Sequence, residues 1–569
     1  MMKKALTESP LDMTDGYEQQ SLQAEPVTGV ALCGIAFILC ILIGIAPLNR
    51  MASGSYFQNT PLVLLATIGT WLPIDLHLTA NTRASQMSTH MIFFFITLAL
   101  AFAVYGISAR LLWRRASPGN NRRLLQLIWL GALAAGLVYI FTPGLLSHDI
   151  FAYASYGRLL VVYHANPYFT LASTYPHDPL VALNDWSMVP SAYGPLWTVI
   201  NALSVPFGSD NPTRYILFYR VLSLAAHLCN IVLITAILRA MGRSRRTVML
   251  GTLLYAWNPL ALLESCLNGH NDLLMVTFIL LGLLLWLRVE RRGTGALYAR
   301  DYLPPLIAFA LATLIKLTGA LFIALFLILL ARRALYPASS PHTHAGLADP
   351  QWRFALRVII LAATVSVGLI LVSYAPFWIG HSPSAILLSF TEPPASHKAY
   401  GSILFAVQQW IDANGLPAQP WLATPLYILS LHATWSVIDF IVLAAALSAG
   451  ALWLWRAPTT RTLALAALVI LGMLVLVTPW FFPWYITWFL GLAIICLPDS
   501  HDGLPWALAL YTLIFSASTF FVYFYKNNLP PIGGWIGLTW LTTIGPPLLA
   551  LLILLVRPHL RKPAITPQA

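Results

Sequence analysis

Runs of about 20 apolar residues recur along this chain, each long enough to cross a hydrocarbon core as a helix. No water is present there to receive backbone N–H and C=O groups, so a run of this length must satisfy them internally. The sequence therefore predicts an all-α polytopic membrane protein. Composition agrees, because 58% of the 569 residues are apolar and 9% are charged, against about 25% charged in soluble domains.

The runs are 28–48, 90–113, 123–147, 214–239, 247–263, 270–288, 303–316, 318–331, 354–376, 433–455, 461–478, 484–497, 505–525 and 535–556. Several are short or interrupted by Pro or Gly, so about 12–14 transmembrane helices are expected. The apolar segments 61–73 and 195–207 are too short to span and read as interfacial or re-entrant helices. The expected organisation is a polar tail 1–27, one membrane domain 28–556 and a tail 557–569. The polar start lacks the close-set basic and apolar pattern of a secretory signal, so 28–48 reads as a retained membrane helix. The 5 cysteines lie mostly inside apolar runs without metal-ligand spacing and read as packing residues.

Charge placement sets the expected orientation. Most of the 32 Lys and Arg fall in alternate loops, such as Arg239–Arg246, Arg288–Arg300 and Arg332–Arg357. Positive loops stay in the cytoplasm, which predicts that both termini are cytoplasmic. The net charge of +12 is thereby explained as topology, and nucleic-acid binding is excluded as a reading. The remaining loops, above all 148–213 and 377–432, carry the richest polar sequence and are expected to be extracytoplasmic. No nucleotide-binding Gly-rich loop is found.

Five stretches carry candidate chemistry. Asp149 follows the third run, and Tyr153 and Tyr156 lie four and seven residues on, on the same helical face. A partly desolvated Asp in a cleft can serve as general base for a hydroxyl. The loop 157–197 holds Arg158, Trp186 and Tyr193 among several acids and histidines. Rings against a sugar's apolar face, with acids accepting from its hydroxyls, would explain that mixture; an aromatic belt at the interface is the plainer alternative. The stretch NPLALLESCLNGHNDLLM (258–275) places Glu264, Asn268, His270, Asn271 and Asp272 within nine residues, a costly density in a membrane unless it is used. A divalent metal is possible there, but no two ligands share a helical face, so no cofactor is expected. Lys316 lies between two apolar runs, where it either snorkels to the interface or meets a phosphate. Arg220 and Lys398 are weaker candidates for the same contact. Finally, TPWFFPWYITWF (478–489), with Trp484 and Tyr485, is either a belt anchor or an aromatic groove.

The ordered set SHDIFAYASYGRL, NPY, AYGPLW, NPL…E…NGHND, a membrane Lys and PWYITW resembles the bacterial polyprenyl-phosphate-mannose-dependent α-mannosyltransferases. These are integral-membrane glycosyltransferases of the GT-C class, and the resemblance runs in patches from about 125 to 490. It implies an extracytoplasmic active site in a bacterial plasma membrane and a polyprenyl-phosphate-linked sugar donor. It further implies inverting transfer to a hydroxyl of a glycan or glycolipid acceptor. Asp149 would then be the base, His148, Arg158, His270 and Lys316 would face the donor phosphate, and Asn268, Asn271 and Asp272 would line the cleft. Pairs of acids are common in such first loops, and here His148 stands where the second would be. The rival readings are a lipid-linked glycan transporter or flippase, and a glycan polymerase or ligase. The absence of an internal repeat weighs against the transporter.

Overall fold

The apolar runs are helical in the computed structural model, which describes residues 27–45, 83–115, 121–142, 144–293, 297–336, 351–391, 399–500, 503–526 and 538–560. Among the described residues no strand forms, and extended pairing is limited to a bridge between Tyr400 and Trp480. The chain is an all-α polytopic membrane protein. Ten described helices, from Val27–Ile45 to Leu504–Tyr523, are long and apolar enough to cross a bilayer, and the shorter apolar helices Pro483–Ile495 and Leu541–Val556 accompany them. The expectations for the first 26 residues, for 61–73, for Lys398 and for 561–569 lie outside the described residues.

Where an expected run falls short of a full span among the described residues, the cause is local. The expected span 247–263 stops at Ala256, because Asn258 and Pro259 begin a new helix. The Asn258 side chain accepts from Ala261 N, and Pro259 occupies the first turn, where its missing N–H costs nothing. The expected span 303–316 is helix Ala299–Ile315, which ends where Lys316 turns extended at φ −149° and ψ 134°. The third run ends as a helix at Ile140, and a separate helix, Asp149–Val161, begins at the acid. Residues 195–207 form helix Pro195–Gly208, packed on Asp149–Val161. Gly157 permits that packing, since a Cβ there would sit 2.2 Å from the Asn201 carbonyl oxygen.

Helices Pro212–Ala240, Asp272–Arg292 and Leu317–Leu335 run side by side in one direction. Ser223, eleven residues into its helix, donates to the His270 carbonyl, and Lys316 meets Asp272 at the same level; at the far ends Arg333 meets Glu290. The bundle thus gathers the Asn–His–Asp sequence at one end and arginines at the other. Arg220 holds the first end together. Its guanidinium is fully buried and donates to the carbonyls of Leu267 (2.7 Å), Ile140 (2.9 Å), Thr142 (2.5 Å) and Gly144 (2.7 Å). Ile140 and Leu267 end helical segments, and Thr142 and Gly144 follow in the connection to Asp149, so Arg220 fastens the segment leading to Asp149 onto the turn leading to His270.

Candidate active site

The site is assembled by two helix starts and one helix break. Asp149 opens helix Asp149–Val161, Asp272 opens helix Asp272–Arg292, and Lys316 occupies the extended residue after Ile315. A carboxylate in the first turn is favoured by the positive end of the helix dipole. Both acids are buried, Asp149 at 5% exposure and Asp272 at 0%.

Between Asp149 and Asp272 the backbone makes an unusual turn. Residues Leu263–Leu267 form one π-helical turn, and Gly269 has a φ of 63°. Single π turns are frequent at functional sites, and glycine adopts that φ without strain. A side chain at 269 would also press on Ile150, 2.9 Å away, in the Asp149 helix. The turn aims His270 between two carboxylates. Its Nδ1 lies 3.6 Å from Asp149 Oδ2 and 3.5 Å from the Tyr153 hydroxyl, and its Nε2 lies 3.2 Å from Glu264 Oε2. The last contact is short but off line for a hydrogen bond, so Nε2 is an ion-pair neighbour without a bonded partner. Glu264 is fully buried and accepts from Asn268 Nδ2 (2.8 Å) and from the Tyr523 hydroxyl (2.9 Å). Asn268 Oδ1 in turn accepts from Leu146 N. The His270 ring stacks on Trp484, with centroids 3.9 Å apart.

Lys316 Nζ donates to Asp272 Oδ1 at 2.7 Å and sits about 5 Å over the Tyr485 and Trp488 rings. Trp488 Nε1 donates to the same oxygen. Asp272 Oδ2 and both side-chain polar atoms of Asn271 are buried without a hydrogen-bond partner among the described residues. Each unsatisfied buried group costs about 1–3 kcal/mol, so three in adjacent residues call for a polar partner.

Beside this cluster lies a cavity of about 180 Å³, which Asn268, His270, Asn271 and Asp272 do not themselves line. At about 30 Å³ per water it holds roughly six, the scale of one sugar ring. Asp149, Lys316, Tyr193, Trp484 and Tyr485 line it, together with Tyr156, Trp186, Trp480 and Phe482. Trp186 Nε1 donates to Asp149 Oδ1 at 2.9 Å, which leaves Oδ2 toward His270. Burial, then the charge of Asp149, pushes the Tyr156 and Tyr193 phenols well above their ordinary range, so both remain protonated.

Other candidates are placed differently. Tyr153 is buried beneath the cavity, edge-on to Tyr193 with centroids 5.2 Å apart. His148 points outward, its Nδ1 3.1 Å from Asp185 Oδ1 with both side chains about half exposed. Arg158 does not border the cavity. Its Nε donates to Asp178 Oδ2 at 2.6 Å, its Nη1 to the Ser209 carbonyl at 2.6 Å, and its Nη2 lies 2.9 Å from Asp210 Oδ1. Arg220, spent on four carbonyls, does not reach it either. Trp186 and Glu264, which belong to the loop 157–197 and the polar stretch 258–275, join the site, and so does Tyr523, which no sequence feature singles out. The polar density of 264–272 points toward Glu264 and the aromatic loop toward Trp186, whereas nothing local to Tyr523 marks it. Among the described residues no group of three His, Cys, Asp or Glu is placed to hold a metal ion.

Residues 30–332 match the family model described as alpha-(1->6)-mannopyranosyltransferase, N-terminal domain. No curated protein and no solved structure matches the chain.

Proposed function

The chain belongs to the alpha-(1->6)-mannopyranosyltransferase family, and from that premise we propose that it moves mannose from a polyprenyl-phosphate-linked donor to a glycan or glycolipid hydroxyl, with inversion. The site opens on the extracytoplasmic side of a bacterial plasma membrane. The observation that carries this reading is a single cavity lined by both a carboxylate, Asp149, and a cation, Lys316, with aromatic walls between them. Inverting transfer needs those two groups. The acceptor oxygen bonds to the anomeric carbon as its proton passes to Asp149, and the bond from that carbon to the donor phosphate oxygen breaks. The phosphate leaves with the electron pair, and Lys316 stabilises the charge it gains. A monophosphate leaving group asks less of a divalent ion than a pyrophosphate does. The collection of arginines at the opposite end of the bundle supports the orientation. Polar residues at helix ends, away from mid-membrane, support transfer over a transporter or flippase.

Glu264 acts through His270. A fully buried carboxylate 3.2 Å from Nε2, with no hydrogen bond between them, sets its charge against the ring that faces Asp149 and stacks on Trp484. Glu264→Gln keeps an oxygen for Tyr523 and removes the charge. It is expected to lower kcat by on the order of 10- to 100-fold, the range in which orienting partners of functional histidines act. The KM for donor should stay within about twofold, and Glu264→Asp should recover part of the loss. A matching rise in KM would place Glu264 in substrate contact instead.

The donor is tested with purified protein in nanodiscs, supplied separately with polyprenyl-phosphate-mannose, other lipid-linked sugars and a nucleotide-linked mannose. Mannosylated acceptor, read by mass, is expected from the polyprenyl-phosphate donor only. Product from the nucleotide sugar at a comparable rate would overturn the donor assignment.

A further inference from the structure

Helix Asp272–Arg292 starts in the candidate site and, at roughly 1.5 Å per residue over 21 residues, ends about 30 Å away. That is the hydrocarbon thickness of a bilayer, so its far end lies at the level of the opposite headgroups. A second hollow, of about 650 Å³, occurs there against the end of helix Pro212–Ala240. Ala236 and Ala240, one turn apart, leave the space, and Leu284 supplies an apolar wall. Arg239 enters from one helix, and Arg288, Arg291 and Arg292 enter from the other.

The charge there is not balanced by protein. Arg292 Nη1 lies 3.6 Å from Asp301 Oδ1, but Arg239, Arg288 and Arg291 have no carboxylate partner among the described residues. Glu290 is occupied by Arg333 and Thr460. Two helix C-termini add about −0.5 each. Four guanidiniums against one Asp and two helix ends leave roughly +2. A phosphate fits this deficit, and guanidinium matches it in shape.

The adjoining surface indicates where the phosphate comes from. Val221, Ala225, Cys229 and Val232 are exposed at helical spacing along Pro212–Ala240, and their strip leads to Ala236 and Arg239. An apolar strip that ends in a basic hollow suits an acyl chain attached to a charged headgroup. We propose that this hollow binds the phosphate of an anionic phospholipid, with its acyl chain along the Val221–Val232 strip. The ligand class follows from charge and position and is independent of the sugar chemistry at the other end.

The test is native mass spectrometry of detergent-purified protein titrated with phosphatidylglycerol or phosphatidylcholine. Phosphatidylglycerol should bind on the order of tenfold more tightly, and Arg239→Gln/Arg288→Gln should abolish that preference. Arg239→Lys/Arg288→Lys should keep most of it. Mannosyl transfer in detergent should be unchanged in both double variants, which shows that they are folded. An unchanged lipid preference in the Gln variant would overturn the proposal. Full displacement of phosphatidylglycerol by millimolar inorganic phosphate would overturn it too, assigning the hollow to a soluble anion.

Discussion

Asp149→Asn is expected to reduce mannosyl transfer by on the order of 10²- to 10⁴-fold, the usual contribution of a general base. Asparagine has nearly the same volume and keeps an oxygen to accept from Trp186 Nε1, so the cavity wall should stand. What disappears is the charge beside His270 Nδ1 and the lone pair that takes the acceptor proton. The loss should fall on kcat, with the KM for donor little changed and the thermal midpoint within a few degrees of wild type. Turnover by purified Asp149→Asn close to wild type would remove Asp149 as the base and return the question to Glu264 or Asp272.

Lys316→Ala has two effects that must be separated. Loss of the cation at the leaving phosphate should lower kcat/KM for donor by about 10²- to 10³-fold, as removal of a group that stabilises developing charge does elsewhere. Asp272, fully buried, would also lose its ion-pair partner and keep Trp488 Nε1 as donor. Breaking a buried pair from one side costs about 3–5 kcal/mol; the partial exposure of Lys316, 17%, places this one at the low end or below. The paired variant Asp272→Asn/Lys316→Met removes both charges together. It should recover much of the thermal midpoint and none of the donor efficiency. Donor dependence unchanged in Lys316→Ala would retire the phosphate contact.

Much of this site could be read along the chain. Tyr153 and Tyr156 share a helical face with Asp149, and all three are buried around the cavity. The same rule places Arg158 elsewhere. Nine residues make two and a half turns, so its side chain leaves on the far side of the helix, where Asp178 and Asp210 receive it. The density of polar groups in 264–272 is legible because a membrane tolerates such cost only where it is used, and the structure buries all of them together. The π turn that points Glu264 and His270 at each other had no such signal, since a turn of this kind arises from packing around it. Trp186 lies 37 residues beyond Asp149 across an irregular loop, and Tyr523 lies 259 residues beyond Glu264. No local pattern encodes contacts of that length.

The chain by itself determined the helices, their approximate ends and the polar residues gathered at those ends. Helical hydrogen bonds close over four residues, and a bilayer leaves the backbone no other partner, so that information is local. Tertiary structure alone decided which ends meet: Arg220 tying two of them together, His270 set between Asp149 and Glu264, and Lys316 held at the cavity wall by Asp272. Those pairings depend on how helices far apart in sequence pack side by side, and packing acts through the summed fit of many side chains, with no single motif to announce it.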